Sequence, residues 1–189
     1  SNLSSTMLSG TQFDGADLTL TSFAGATAVG ASFANADLVI ANLGGASFTT
    51  TSFAGADLRG AVFTSASFTS VTLLGANASG ANFGGATWSN TICPDGTNSD
   101  NRGNTCVNNL SSLTATPTAT ITATPTNTPT VTRTPTITPT ATATADTSDC
   151  AARVPGADLS GCNLSGLTLS SLDLTGADLS SSLLNDARL

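Results

Sequence analysis

Histidine, lysine, glutamate and tyrosine are all absent from this 189-residue chain. Their absence removes the usual general bases near neutral pH, the common amine nucleophile and most nitrogen metal ligands. No Ser-His-Asp, Cys-His or paired-carboxylate site can be assembled, so no catalysis is expected. Charge is scarce as well: 9% of residues are charged, with twelve acidic residues (all Asp) against five Arg. The surface must therefore be built mainly from Thr, Ser, Asn and Gly. No run approaches the roughly 20 apolar residues of a membrane-spanning helix. No signal peptide is visible, and the repeat described next is in register from Ser1, which suggests a mature chain after cleavage.

What the chain has is a period of five. Phe13, Phe23, Phe33, Phe48, Phe53, Phe63, Phe68 and Phe83 are all separated by multiples of five, and Trp88 falls on the same lattice. Between Leu3 and Trp88 every lattice centre is Leu or Phe, except Ala28, Ala78 and Trp88. Two residues before the centre the residue is usually Ala, with Thr at Thr6, Thr11, Thr21 and Thr51, and with Ser1 and Val71 as the exceptions. The residue just before the centre is Asp, Asn, Ser, Thr or Gln, apart from Met7 and Val62. Neither the 3.6 period of a helix nor the 2 of a simple strand explains this. A strict five, with one large and one small apolar residue per unit, needs a chain that turns a corner every pentad. Gly, frequent two places after the centre, supplies backbone freedom at such corners.

The stretches "ADLTL", "ADLVI", "ADLRG", "ANFGG" and "ADLSG" resemble the A-D/N-L-x-x motif of the pentapeptide repeat family. The resemblance covers residues 1–92 and again about 152–189. It implies an all-β fold, a right-handed quadrilateral β-helix (solenoid) with four pentads per coil of 20 residues. Residues 20 apart should then stack in columns: Phe13, Phe33, Phe53 and Leu73, or Leu18, Leu38, Leu58 and Ala78. The second block has centres at Val154, Leu159, Leu164, Leu169, Leu174, Leu179, Leu184 and Leu189. Leu167 and Leu172 take the place of the small residue there, which predicts a slightly wider block. Two coils alone lack enough neighbours for stability, so this block must dock on its own first block or on another molecule.

Four domains follow: a β-helix over 1–92, a disulfide loop over 93–110, a Thr/Pro-rich extended linker over 111–149 and a second block over 150–189. "CPDGTNSDNRGNTCVNNL" breaks the register and resembles the segment that follows pentapeptide blocks in bacterial proteins. Four cysteines allow three pairings. Local pairing, Cys93 with Cys106 and Cys150 with Cys162, closes a short loop at the edge of each block; free buried thiols in a cytosolic protein are the alternative. Disulfides imply an oxidising, extracellular or cell-surface location.

In the linker, Thr occupies every even position from Thr114 to Thr144. Such tracts resemble O-glycosylated stalks, which makes Thr116, Thr118, Thr124, Thr126, Thr128, Thr130, Thr134, Thr136, Thr138 and Thr140 candidate glycan acceptors. A polyproline-like path at about 3.1 Å per residue would carry the tract roughly 95 Å. Of the N-x-S/T sequons at Asn2, Asn77, Asn109 and Asn163, Asn109 is the best placed, in a loop. Asp95, Asn98 and Asp100 offer oxygen ligands to calcium, without the bidentate Glu of a calcium loop; no other cofactor is implied. Asp17, Asp37 and Asp57 form an acidic column. Some members of the family present such columns as DNA mimics to DNA gyrase, whereas in most the Asp is simply the motif's preference.

No cap is visible at "SNLSSTML" or at "NDARL", and an uncapped solenoid stacks head to tail. The expected function is a secreted structural subunit. It would polymerise with itself into an extracellular filament, carry covalent glycans on a Thr/Pro strap and bind no nucleic acid. A monomeric surface binding or spacer module, its second block folded back as a cap, is the second reading. A cytoplasmic gyrase-binding DNA mimic is the third.

Overall fold

A computed structural model describes residues 1–110, 150, 154–170 and 172–189 of the chain. The predicted glycan-bearing threonines and the linker fall outside the described residues.

The pentad turns as the sequence requires. At most corners the residue two before a centre donates its N–H to the preceding centre's carbonyl, as Ala16 does to Phe13 at 3.0 Å and Ala56 to Phe53 at 3.1 Å. At many centres the polar residue just before has a local role. Its side-chain oxygen accepts the N–H two residues on: Asp37 Oδ1 from Val39 at 3.0 Å, Asn82 Oδ1 from Gly84 at 2.9 Å, Ser52 Oγ from Ala54 at 3.3 Å. That N–H faces outward at a corner and the coil above does not take it. A short side chain carrying an oxygen satisfies it within the pentad, which is the turn chemistry of Asx and Ser/Thr residues.

Four pentads close a coil, and successive coils pair as parallel strands. On one side the pairing extends to three residues, giving β1 (Thr27–Val29), β2 (Ser47–Thr49), β3 (Ser67–Thr69) and β4 (Thr87–Ser89) in the order β1-β2-β3-β4. On the other sides single parallel bridges 20 residues apart take their place, such as Asp17 to Asp37 and Asp37 to Asp57. The corner after β1, β2 and β3 shows no turn hydrogen bond of the usual kind, and here threonine has a purpose. Buried Thr51 donates Oγ1–H to the Ala28 carbonyl at 3.0 Å, and Thr91 does the same to Phe68 at 3.3 Å.

The centres and small residues fill the interior. Phe13, Phe33 and Phe53 stack face to face at 4.8 and 4.9 Å between ring centroids. Phe48, Phe68 and Trp88 form a second column at 5.4 and 4.4 Å. The spacings of the first column match the roughly 4.7–4.9 Å between neighbouring strands, so that ring column and the backbone ladder share one repeat. Rings on adjacent sides meet edge to face, as Phe13 and Phe23 do at 85°.

Leu20 and Ile40 sit one above the other at a corner with φ of 61° and 58°, where Gly60 and Gly80 follow at 66° and 71°. A β-branched side chain in the left-handed region costs roughly 1–2 kcal/mol, against about 0.5–1 kcal/mol for the extra freedom glycine loses on folding. Ile40→Gly is therefore expected to stabilise the fold by up to about 1 kcal/mol, checked by the denaturant midpoint.

The second block sits where the sequence left two choices open. It docks beneath the first coil of its own chain. Asp173 bridges Asn2, Asp178 bridges Met7, Leu183 bridges Gln12 and Arg188 bridges Asp17, all parallel. The spatial order of coils is thus 154–170, then 172–189, then 1–92. This corrects the expectation of an open end at "SNLSSTML": that edge is covered by residues 172–189. Two further expectations change. Leu167 is exposed and Leu172 only partly buried, so neither widens the core, and Val154 is exposed although it stands at a centre. All three lie in, or directly follow, the outermost coil, which has no described neighbour below.

Candidate functional site

The residues singled out from the sequence fall into three places. The first is the loop after Ile92. Cys93 and Cys106 are joined, and so are Cys150 and Cys162. Residues 97–99 run back antiparallel over Thr91 and Ile92, through an Ile92–Asn98 bridge and a Ser99 N–H to Thr91 carbonyl bond of 2.8 Å. A short 3-10 turn over Ser99–Arg102 follows, capped by Asn98. Each proposed calcium ligand is engaged by the loop or by the coil it returns over. Asp95 Oδ1 accepts from Thr97 Oγ1 at 2.7 Å and Asp95 Oδ2 from Asn109 Nδ2 at 2.6 Å. Asn98 Oδ1 accepts from the Asp100 N–H at 2.9 Å, and Asp100 Oδ1 from the Asn90 N–H at 2.7 Å. Among the described residues no group of three or more His, Cys, Asp or Glu could hold a metal ion. The amide of Asn109, the favoured sequon, is part of the same network.

Burial pushes the Asp95 carboxyl up, but hydrogen bonds from Thr97 and Asn109, with the charge of Arg102, outweigh it and hold the group below its ordinary value. A depressed folded-state value means stability that is present above the unfolded value of about 3.9 and lost as pH falls through the folded one. Acidification below about pH 4 should therefore loosen the loop. Trp88, on the top coil, reports it: its fluorescence should shift with pH in the native chain, and less so in Asp95→Asn.

The second place is the acidic column. Asp17, Asp37 and Asp57 do stack on one side. Each carboxylate accepts the N–H two residues on, which is the same turn role that Asn and Ser play elsewhere. Arg59 pairs with Asp57 at 2.7 Å, and Arg188 approaches Asp17 at 3.9 Å from the coil below. The Arg59 hydrogen bond also holds the Asp57 carboxyl below its ordinary value. The column is flanked by cations at both ends, and Arg188 was not foreseen there because its register depends on where the second block docks.

The third place is the set of edges. β4 is the last strand of its sheet, and Trp88 and Phe83 beneath that edge are buried to all but 7% and 6%. Among the described residues, the loop covers one side of this end and leaves another open. There an open cavity of about 440 Å³ is lined by Ala81, Phe83, Gly84, Gly85, Val107 and Leu110. At the opposite end, Asn163 and Thr168 bridge only upward, to Leu183 and Arg188, among the described residues. Between the ends lies the junction of the two blocks. The Asn2 N–H donates to Leu172 and the Leu174 N–H to Asn2, at 3.0 and 2.7 Å; the ladder runs on through Met7–Ala177 and Gln12–Ser182 to the Leu189 N–H on Asp17 at 2.9 Å. Thr11 Oγ1 crosses the junction to the Leu179 carbonyl, and Ser1 Oγ reaches Leu169 at 3.1 Å.

No helix among the described residues is long and apolar enough to cross a membrane. The family model "Pentapeptide repeats" matches residues 16–55, 47–85 and 151–189. No curated protein matches the chain. Among solved structures, the pentapeptide repeat protein Rfr23 of the cyanobacterium Cyanothece 51142 is 26% identical over 45% of this chain and 58% of its own, with a TM-score of 0.44. HetL of Nostoc sp. strain PCC 7120, a pentapeptide repeat protein involved in heterocyst differentiation regulation, is 28% identical over 51% of each chain, with a TM-score of 0.28. A pentapeptide repeat protein of the Arabidopsis thaliana thylakoid lumen is 25% identical over 53% of this chain and 74% of its own, with a TM-score of 0.31. The chain thus spans little more than half the length of the first two.

Proposed function

The chain belongs to the pentapeptide repeat family, and from that premise we propose that it is a structural subunit that stacks head to tail with copies of itself into an extracellular filament and carries a glycosylated Thr/Pro segment. The observation that carries the reading is the junction of the two blocks. There one β-helix edge accepts another that is not contiguous with it in the chain, in full ladder register and with the core continued across it by Leu8, Leu179 and Leu184, each fully buried. An edge that docks a separate coil inside one molecule has the chemistry to dock the end of a second molecule. Among the described residues, β4 above and the Asn163–Thr168 row below are edges available for that. Parallel edges of unlike ends make a heterologous contact, which extends without closing.

Two disulfides and a Thr-rich tract support an extracellular location. The surface also suits dense packing, since it carries few charges to repel a neighbour. Light scattering across a concentration series tests the reading. The filament predicts mass that grows with concentration and elongated particles by negative-stain microscopy. A constant monomer mass at the highest concentration favours the spacer-module reading, in which the second block serves only as a cap.

A further inference from the structure

The blocks meet at a seam whose arithmetic is informative. One coil is 20 residues, as the Asn2–Ser22 bridge shows, and Asp173 fills the place one coil below Asn2. Counting on from Asp173, Leu189 stands three places before Ser1, so only two positions of a continuous β-helix are empty between the chain's last residue and its first. The stack is a continuous solenoid cut at the seam, with its other ends joined through residues 107–149. That segment is far longer than the junction needs. At about 3.3 Å per residue, the chain from Cys106 to Cys150 can reach on the order of 140 Å. Returning from the top coil to the bottom one requires roughly 31 Å at about 4.8 Å per coil.

A head-to-tail stack has the same coil order whichever chain supplies each second block. In the stack, residues 154–189 lie between the top of one first block and the Ser1 edge of the next. They can be tethered to either. If tethered to the block above them, the seam lies within one molecule, as in this structure. If tethered to the block below, the chain runs straight on, and the seam becomes the contact between two molecules.

The seam carries the ladder from Asn2 to Asp17 and buries Leu8, Leu179 and Leu184. The other joint, between the top coil and the Asn163–Thr168 row, is partly obstructed by the disulfide loop over Thr91 and Ile92. Among the described residues, the buried side-chain atoms without a hydrogen-bond partner are Thr21 Oγ1 and Asn185 Oδ1, both within a coil of the seam.

We infer that residues 172–189 are an exchangeable plug, and that the Ser1–Asp17 edge takes this block from a second copy of the chain as well as from its own. The inference rests on the head-to-tail reading and adds which surface holds neighbours together. Exchange puts the strong seam between molecules and leaves the weaker joint bridged by covalent chain.

The test uses the full chain with its native disulfides intact. One preparation carries Met7→Cys and the other Asp178→Cys. These positions face outward and bridge each other across the seam. The two are mixed in urea, diluted together and oxidised. Within a single copy of either variant the new thiol has no partner, so a cross-link between positions 7 and 178 forms only by exchange. The control mixes Met7→Cys with Ser47→Cys, which are not neighbours in any coil order. Exchange predicts cross-linked product at least tenfold above the control. Cross-linking at the control level overturns the inference. If fibres still form in that case, head-to-tail stacking stands and exchange fails; if fibres are lost too, both fail. Cross-linked but discrete dimers would support exchange and overturn the open filament.

Discussion

Phe53→Ala is expected to lower stability by about 3–5 kcal/mol, the range for removing a buried aromatic side chain. Phe53 is fully buried and stacks on Phe33 at 4.9 Å. It also meets Phe48 and Phe63 edge to face at 5.1 and 6.1 Å. The cost lies at the high end because the cavity cannot collapse. The backbone ladder fixes the coils at their spacing, so neighbouring rings cannot close the gap. A smaller effect is expected of Leu18→Ala, about 2–4 kcal/mol, since Leu18 has no ring column to interrupt. Urea denaturation followed by Trp88 fluorescence measures both. Equal costs at the two positions would count against the rigid-column account.

Leu179→Asp has a different signature. Leu179 is fully buried, its N–H bonds Met7 and its carbonyl accepts from Thr11 and Ser182. Removing the side chain forfeits about 2–5 kcal/mol. An unpaired carboxylate in that interior adds several kcal/mol more unless it takes up a proton. Two coils cannot absorb such a loss, because a solenoid segment is held chiefly by its nearest neighbours. The second block should therefore leave the stack while residues 21–92 stay folded. Hydrogen exchange reads this directly. Amides of Leu174, Leu184, Asn2 and Gln12 should lose protection, and those of Phe53 and Leu58 should keep it. Uniform loss along the whole chain would contradict a stack whose parts depend mainly on adjacent coils.

The fold was legible in the sequence to an unusual degree because repetition removes ambiguity. The phenylalanine lattice implied the pentad, and steps of 20 implied the columns now seen in Phe13, Phe33 and Phe53. Asp, Asn and Ser before each centre were visible as a preference, but their purpose was not. Only the geometry shows that many of these side chains take the N–H two residues on, which accounts for the recurrence of Asp17, Asp37 and Asp57 as a local turn device. The inward threonines were visible as exceptions to Ala. Their carbonyl bonds at Thr51 and Thr91 depend on a corner that lacks the usual turn bond.

The docking of the second block was not legible, because every pentad edge offers nearly the same chemistry. Its register is set by which edge is open, and pattern alone does not encode that. Leu167 illustrates the same point. It occupies a small-residue position by counting, yet it is exposed because its coil is the last described one. The disulfide loop was foreseen as a boundary, but the antiparallel return over Thr91 and Ile92 was not, since residues 93–110 carry no period.

The account stands most directly on the assembly of coils, and cryo-electron microscopy of the purified protein tests it. The expected image is a four-sided rod in which residues 172–189 lie beneath 1–20, repeating along a fibre with a rise of roughly 31 Å per subunit. Single, unstacked particles, or a second block detached from the Ser1 edge, would contradict it.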